Sequence, residues 1–262
     1  YGIHTGHQIV NNGKVSIINN TPEQTTIEYT PNEYFIVNNA GGELTIKNIK
    51  IDSIYGINNA GTLNLEKIEV NASNTAIKNT GNISAENNII LTGTSYPIYN
   101  DGGESIVQDV TLTGNQIYNN SGSLTLKNGS TERSGNRIQK FITNNGTLIL
   151  DSFTATLTNI ITSSNSTNGY AETIYNTGTL SIINNSTIRH IAQSESYSFV
   201  DNVATIYNDG GNTNIENSTI IADSTGLRSH SYATLGIYNP SGSTTVITGT
   251  IESLGKNRSY GI

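Results

Sequence analysis

Five tyrosines share one local setting, with isoleucine before and asparagine after: Ile98-Tyr99-Asn100, Ile117-Tyr118-Asn119, Ile174-Tyr175-Asn176, Ile206-Tyr207-Asn208 and Ile237-Tyr238-Asn239. Phenol rings in register on neighbouring strands lie about 5 Å apart. A strip of such rings offers faces to sugar rings and hydroxyls to sugar hydroxyls. Cross-strand aromatic pairs also stabilise a sheet with no ligand, so the tyrosines serve either purpose. A second candidate is a carboxylate pair, Glu66 and Glu86, each following an alternating apolar pair, with Lys47 and Gln108 in the flanking repeats. Two carboxylates about 5 Å apart hold a cation or push one carboxyl up in pKa. An exposed pair beside a lysine is equally a solvated outer face. The four histidines, His4, His7, His190 and His230, show no H-E-x-x-H spacing and are expected on the surface. Neither a G-x-S-x-G elbow nor a Walker loop occurs in the sequence.

The elements that position these residues are repeats. An apolar residue, a variable one, an asparagine and, in most copies, a glycine soon after recur, followed by an alternating apolar pair: Ile57–Leu65, Ile117–Leu126, Ile142–Leu150 and Ile174–Ile182 are the clearest copies. Weaker copies start at Ile9, Ile36, Ile77, Ile98, Ile206 and Ile237. The asparagines Asn11, Asn38, Asn59, Asn79, Asn100, Asn119, Asn144, Asn176, Asn208 and Asn239 are spaced 27, 21, 20, 21, 19, 25, 32, 32 and 31 residues apart. A floor near 20 with longer excursions indicates a constant coil with insertions. Leu63-x-Leu65 and Leu148-x-Leu150 alternate with period two, as half-buried strands do. A third short strand follows, as in Ile49–Ile51 and Ile68–Val70. Three strands and three turns per copy make a triangular coil.

That pattern predicts an all-β fold, a single-stranded right-handed parallel β-helix of about ten coils spanning residues 1–262 as one domain. The asparagine column is expected to form a ladder of amide hydrogen bonds between coils, and Asn tolerates the left-handed backbone of a tight corner. The following glycines Gly13, Gly61, Gly81, Gly102, Gly146, Gly178 and Gly210 are expected to supply positive φ. A second polar corner is expected at Asn19, Asn48, Asn87, Asp109, Asn128, Asn184 and Asn217. Only 34% of the 262 residues are apolar, which suits a narrow core shared between coils better than a two-layer core. Leucine-rich repeats need an L-x-x-L-x-L core and propeller blades a longer period; neither fits.

The I-Y-N-x-G-x-L-x-I copies resemble the repeat regions of pectate-lyase-like β-helix proteins. The closest resemblance is to adhesin-like surface proteins of bacteria and archaea and to autotransporter passenger domains. The resemblance implies an extracellular, cell-surface location. Its β-helix enzymes cluster several carboxylates on neighbouring coils, and this sequence departs from that. Asp101 and Asp209 hold equivalent positions but lie four coils apart, roughly 19 Å at about 4.8 Å per coil. Paired glycosidase carboxylates lie about 5–9.5 Å apart.

The expected function is therefore a surface adhesin or stalk segment binding a cell-surface glycan or host protein; the alternative is a polysaccharide lyase or hydrolase. The expected ligand-binding residues are Tyr175, Tyr207 and Tyr238, with Tyr170, Tyr197, Phe199, Tyr232, Arg228, His190 and His230 on insertions near residues 158–173, 190–205 and 222–236. Lys127, Arg133, Arg137 and Lys140 form a local basic patch. The formal charge of −7 argues against nucleic acid as a partner. Runs of about 18 apolar residues, which a membrane helix needs, do not occur, and no cysteine is present for disulfides or thiolate metal sites. A flat threonine rank of the ice-binding kind is interrupted at Gly42, Asn82 and Ser123. No cofactor and no catalytic residue is expected, and Glu66 and Glu86 are the weak metal candidates. The chain starts at Tyr1 and is expected to be a monomeric piece of a longer repeat protein.

Overall fold

The computed structural model describes residues 2–136, 140–161, 171–194, 203–226, 233–255 and 259–262. Among these residues the regular elements are all β-strands. Each strand pairs in parallel with its counterpart one repeat later, which makes a parallel solenoid-like stack. The chain forms two compact units, Tyr1–Gly129 and Ser130–Ile262.

In the first unit the anchors Ile9, Ile36, Ile57, Ile77 and Ile98 pair in sequence. The inner strands stack Ile46, Leu65, Ala85, Val107 and Leu126. Ile27, Ile51, Val70, Leu91 and Leu112 form the third file. The last two files are buried throughout. Fully burying a side chain of this size is worth about 1.5–3 kcal/mol, so a thin column suffices when every coil adds to it. The second unit repeats the plan with Ile142, Ile174, Ile206 and Ile237, and with Leu150, Ile182, Ile215 and Val246.

The asparagine column is a ladder in both units. In the first, Nδ2 of Asn11, Asn38, Asn59, Asn79 and Asn100 each donates to Oδ1 of the next asparagine at 2.7–2.8 Å, ending on Asn119. In the second, Asn144, Asn176 and Asn208 do the same, ending on Asn239. The remaining donor hydrogen goes to a main-chain carbonyl, as from Asn38 to Thr62 O at 3.0 Å and from Asn208 to Ser243 O at 3.0 Å. A buried amide needs such complete pairing, since each orphaned buried group costs about 1–3 kcal/mol. Where Ser105 replaces the inner Leu, its hydroxyl joins the ladder, accepting from Asn79 at 2.9 Å and donating to Asn100 at 3.0 Å.

Corner chemistry differs from expectation in two ways. The ladder asparagines are not the left-handed ones. Positive φ, between 48° and 65°, falls instead on the second corner, at Asn48, Lys67, Asn87, Asn88, Asp109, Asn128, Ser152, Asn184, Asn185 and Asn217. A ladder amide needs its strand geometry to aim along the stack, whereas the second corner turns the chain from one strand of the coil into the next. Of the expected glycines, Gly61, Gly81 and Gly178 are required for close approach rather than for φ. A Cβ on Gly81 would lie 2.1 Å from Gly61 O, and one on Gly178 would lie 2.0 Å from Gly146 O. Among the expected ones, Gly102 and Gly210 do have positive φ, at 150° and 82°.

Candidate functional site

The tyrosines that follow the anchors stand in register on the outer face of each unit, all half-buried. In the second unit Tyr175 pairs with Tyr207, and Tyr207 with Tyr238. Their ring centroids are 5.5 Å and 5.1 Å apart, with interplanar angles of 31° and 71°. The expected flat strip is therefore a turning one, because each ring tilts to cover part of its neighbour. In the first unit Tyr99 and Tyr118 are nearly parallel at 5.1 Å and 15°. At that separation parallel rings are shingled, since face-to-face contact without offset would bring them closer.

A second file lies beside the first and was not read from the sequence. Its members stand two residues before the anchor: Tyr34, Tyr55, Thr75 and Tyr96 in the first unit, and Lys140, Glu172, Ala204 and Leu235 in the second. The chain bends just before the anchor, so two successive residues are buried, as at Phe35 and Ile36 or Phe141 and Ile142. The bend breaks the alternation and leaves Tyr34, Tyr55, Tyr96 and Lys140 on the tyrosine side, whereas Thr75, Glu172, Ala204 and Leu235 are buried with the two residues that follow them. Tyr96 thus meets Tyr99 edge-on at 5.3 Å and Tyr118 at 6.2 Å, while Tyr34 and Tyr55 are 5.1 Å apart. The recurring Tyr-x-Ile of residues 34–36, 55–57 and 96–98 was the available signal.

The two files carry charge in the second unit. The Lys140 ammonium lies over the Tyr175 ring, 3.3 Å from its centroid. The Tyr175 hydroxyl donates to Asp209 Oδ2 at 2.7 Å, and Asp209 also accepts from Ser241 Oγ at 3.3 Å. That bond to Asp209, with burial next, pushes the Tyr175 phenol up to about 12. Glu172 is only 4% exposed, and its Oε2 has no hydrogen-bond partner. Burial pushes this carboxyl up to about 8, against the pull of Lys140.

The other expected residues fall as follows. Tyr170, Tyr197, Phe199, Tyr232, Arg228, His230 and Arg137 lie outside the described residues. Glu66 and Glu86 are register partners, and Glu66 pairs with Lys47 at 2.8 Å. Among the described residues no group of three or more His, Asp or Glu side chains is placed to hold a metal ion. Asp101 accepts from Asn120 Nδ2 at 2.7 Å. His7 is exposed.

His190 is not the surface residue the sequence suggested. It is fully buried, in an inward position between Leu157 and Ala222. Neither ring nitrogen makes a well-aligned hydrogen bond. Burial holds its pKa down at about 4, and the Ala204 backbone offsets only part of this.

No family model, curated protein or solved structure matches the chain.

Proposed function

We propose that the chain is a right-handed single-stranded parallel β-helix of about ten coils, serving as an adhesin or stalk segment of a pectate-lyase-like surface protein outside the cell. Parallel crossover connections are right-handed in about 98% of cases, and the in-register coils support that hand here. Binding is assigned to the outer tyrosines, with a cell-surface or environmental glycan as the ligand and a host protein as a less favoured partner. The observation that carries this reading is the file Tyr175–Tyr207–Tyr238, held in register beside the amide ladder Asn176–Asn208–Asn239. A rigid scaffold that fixes aromatic rings at the coil spacing suits recognition of a repeating sugar chain.

A glycan array tests it. The unchanged protein is expected to bind a subset of glycans, and the triple change Tyr175→Ala, Tyr207→Ala and Tyr238→Ala to lose them. Binding that survives the triple change removes the tyrosine file from the reading. A second reading, a polysaccharide hydrolase or lyase, is favoured by one observation, the buried Glu172 carboxyl with its unpartnered Oε2, which burial pushes toward the protonated form a general acid needs. Assaying bound glycans for new reducing ends, with Glu172→Gln and with Glu66→Gln plus Glu86→Gln as controls, separates the two.

A further inference from the structure

We propose that Tyr175, Glu172 and Asp209 form a subsite for a protonated amine, the ammonium of an amino sugar, and that Lys140 fills it in the free protein. The proposal rests on the reading of this face as sugar-binding and names the class of sugar.

Three observations meet at one place. An ammonium group already sits on the Tyr175 face at 3.3 Å, so the ring is exposed to a cation and aligned to take one. Lys140 and Glu172 are register partners on adjacent coils. Yet Oε2 of the buried Glu172 carries no hydrogen bond, so the lysine does not satisfy it. A buried carboxyl oxygen without a donor is an acceptor waiting for one, and an ammonium brings three donors. Asp209 adds negative charge at the far edge of the same ring, fixed by Tyr175 and Ser241. Tyr207, 5.5 Å from Tyr175 along the file, continues the aromatic surface under the rest of a sugar ring.

The chemistry selects an amine over its amide. N-acetylation removes the positive charge that both the ring face and the carboxylates attract. Lys140 is tethered two residues from the anchor Ile142 and reaches the ring as a competitor from the protein's own chain. The high pKa of Glu172 agrees with this arrangement: the carboxyl is neutral while unpartnered, and an arriving cation favours its ionised form.

The test titrates the full 262-residue chain with a β-1,4-linked glucosamine tetramer and with its fully N-acetylated counterpart, by calorimetry and tyrosine fluorescence. Lys140→Ala is expected to bind the glucosamine tetramer roughly tenfold tighter than the unchanged protein, as removal of an intramolecular cation–π competitor implies. The N-acetylated tetramer should show no such gain. Adding Glu172→Gln to Lys140→Ala should cancel the gain, with melting curves confirming that each variant is folded. Equal affinities with and without Lys140, a gain shared by both tetramers, or a gain that survives Glu172→Gln overturns the proposal. Binding of the glucosamine tetramer to none of the variants also overturns it. Neutral glycans retained on the array would then leave the broader sugar-binding reading standing.

Discussion

The tyrosine faces of the two units are built on the same register and end in different chemistry. In the first unit, both outer files carry tyrosine where they meet, and Tyr96, Tyr99 and Tyr118 pack ring against ring. In the second, Lys140 and Glu172 replace the tyrosines of the neighbouring file, so the rings face an ammonium, a buried carboxyl and Asp209. The backbone template is common to both, and a change at one position per coil replaces an aromatic cluster with charged groups, Lys140 at the surface and Glu172 buried beside it. A solenoid separates these roles cleanly, because inward residues fix the stack while outward ones vary with little effect on it.

The comparison is tested most severely at what the units share. Asn100→Ala and Asn176→Ala should each lower stability by roughly 3 kcal/mol, by orphaning two ladder neighbours at about 1–3 kcal/mol apiece. Hydrogen exchange should show the loss concentrated in the unit that carries the change. Equal, chain-wide loosening would instead argue that the two units melt as one.

Next in size is a pH effect confined to the second unit. His190 has a folded pKa of about 4 against an ordinary value near 6.5. A depressed folded pKa makes its contribution fully present above pH 6.5 and lost as pH falls through 4. The loss is about 3 kcal/mol by linkage. Glu172 has the opposite sense. Its folded pKa, about 8, lies above the usual carboxylate value, so its contribution is full below about pH 4.5 and lost as pH rises through 8. The two windows overlap between about pH 4.5 and 6.5, where the slopes oppose each other, so melting curves of His190→Leu should show stability falling from about pH 4.5 to 8, and those of Glu172→Gln should show it rising from about pH 4 to 6.5 and level above. Unchanged slopes in both would mean that neither group is as dry as its burial indicates.

The smallest effect sharpens the contrast between the faces. Tyr175→Phe gives up the bond to Asp209 and should lower stability by about 1 kcal/mol. Tyr99→Phe keeps its ring contacts and should change stability by only a few tenths, a difference that a double-mutant cycle with Asp209→Asn would assign to the hydroxyl.

The sequence made the stack legible because one residue type, asparagine, recurs at a position where its amide donates to the next coil and accepts from the one before. Leu63-x-Leu65 and its equivalents gave the inner strands for a similar reason, since period two survives wherever the chain runs straight. It fails at bends. Tyr34, Tyr55, Tyr96 and Lys140 stand just before a corner, where counting in twos assigns them to the buried side. Lys67 and Ser152 hold left-handed corner positions without the residue type that would have marked them. His190 was missed because a polar residue at an inward position contradicts the rule that polar residues face water. Burial of both Glu172 and His190 depends on what packs around them, and no local spacing encodes that.

Within each unit, the ladder amides all point the same way, from lower-numbered coil to higher. Their dipoles therefore add head to tail, and each bond polarises the next. Turning a single amide over would set oxygen against oxygen at one junction and NH2 against NH2 at the other. The file thus has a sense of direction that no member can reverse alone, and a coil joining it must present its amide in the orientation already chosen by the coils beneath.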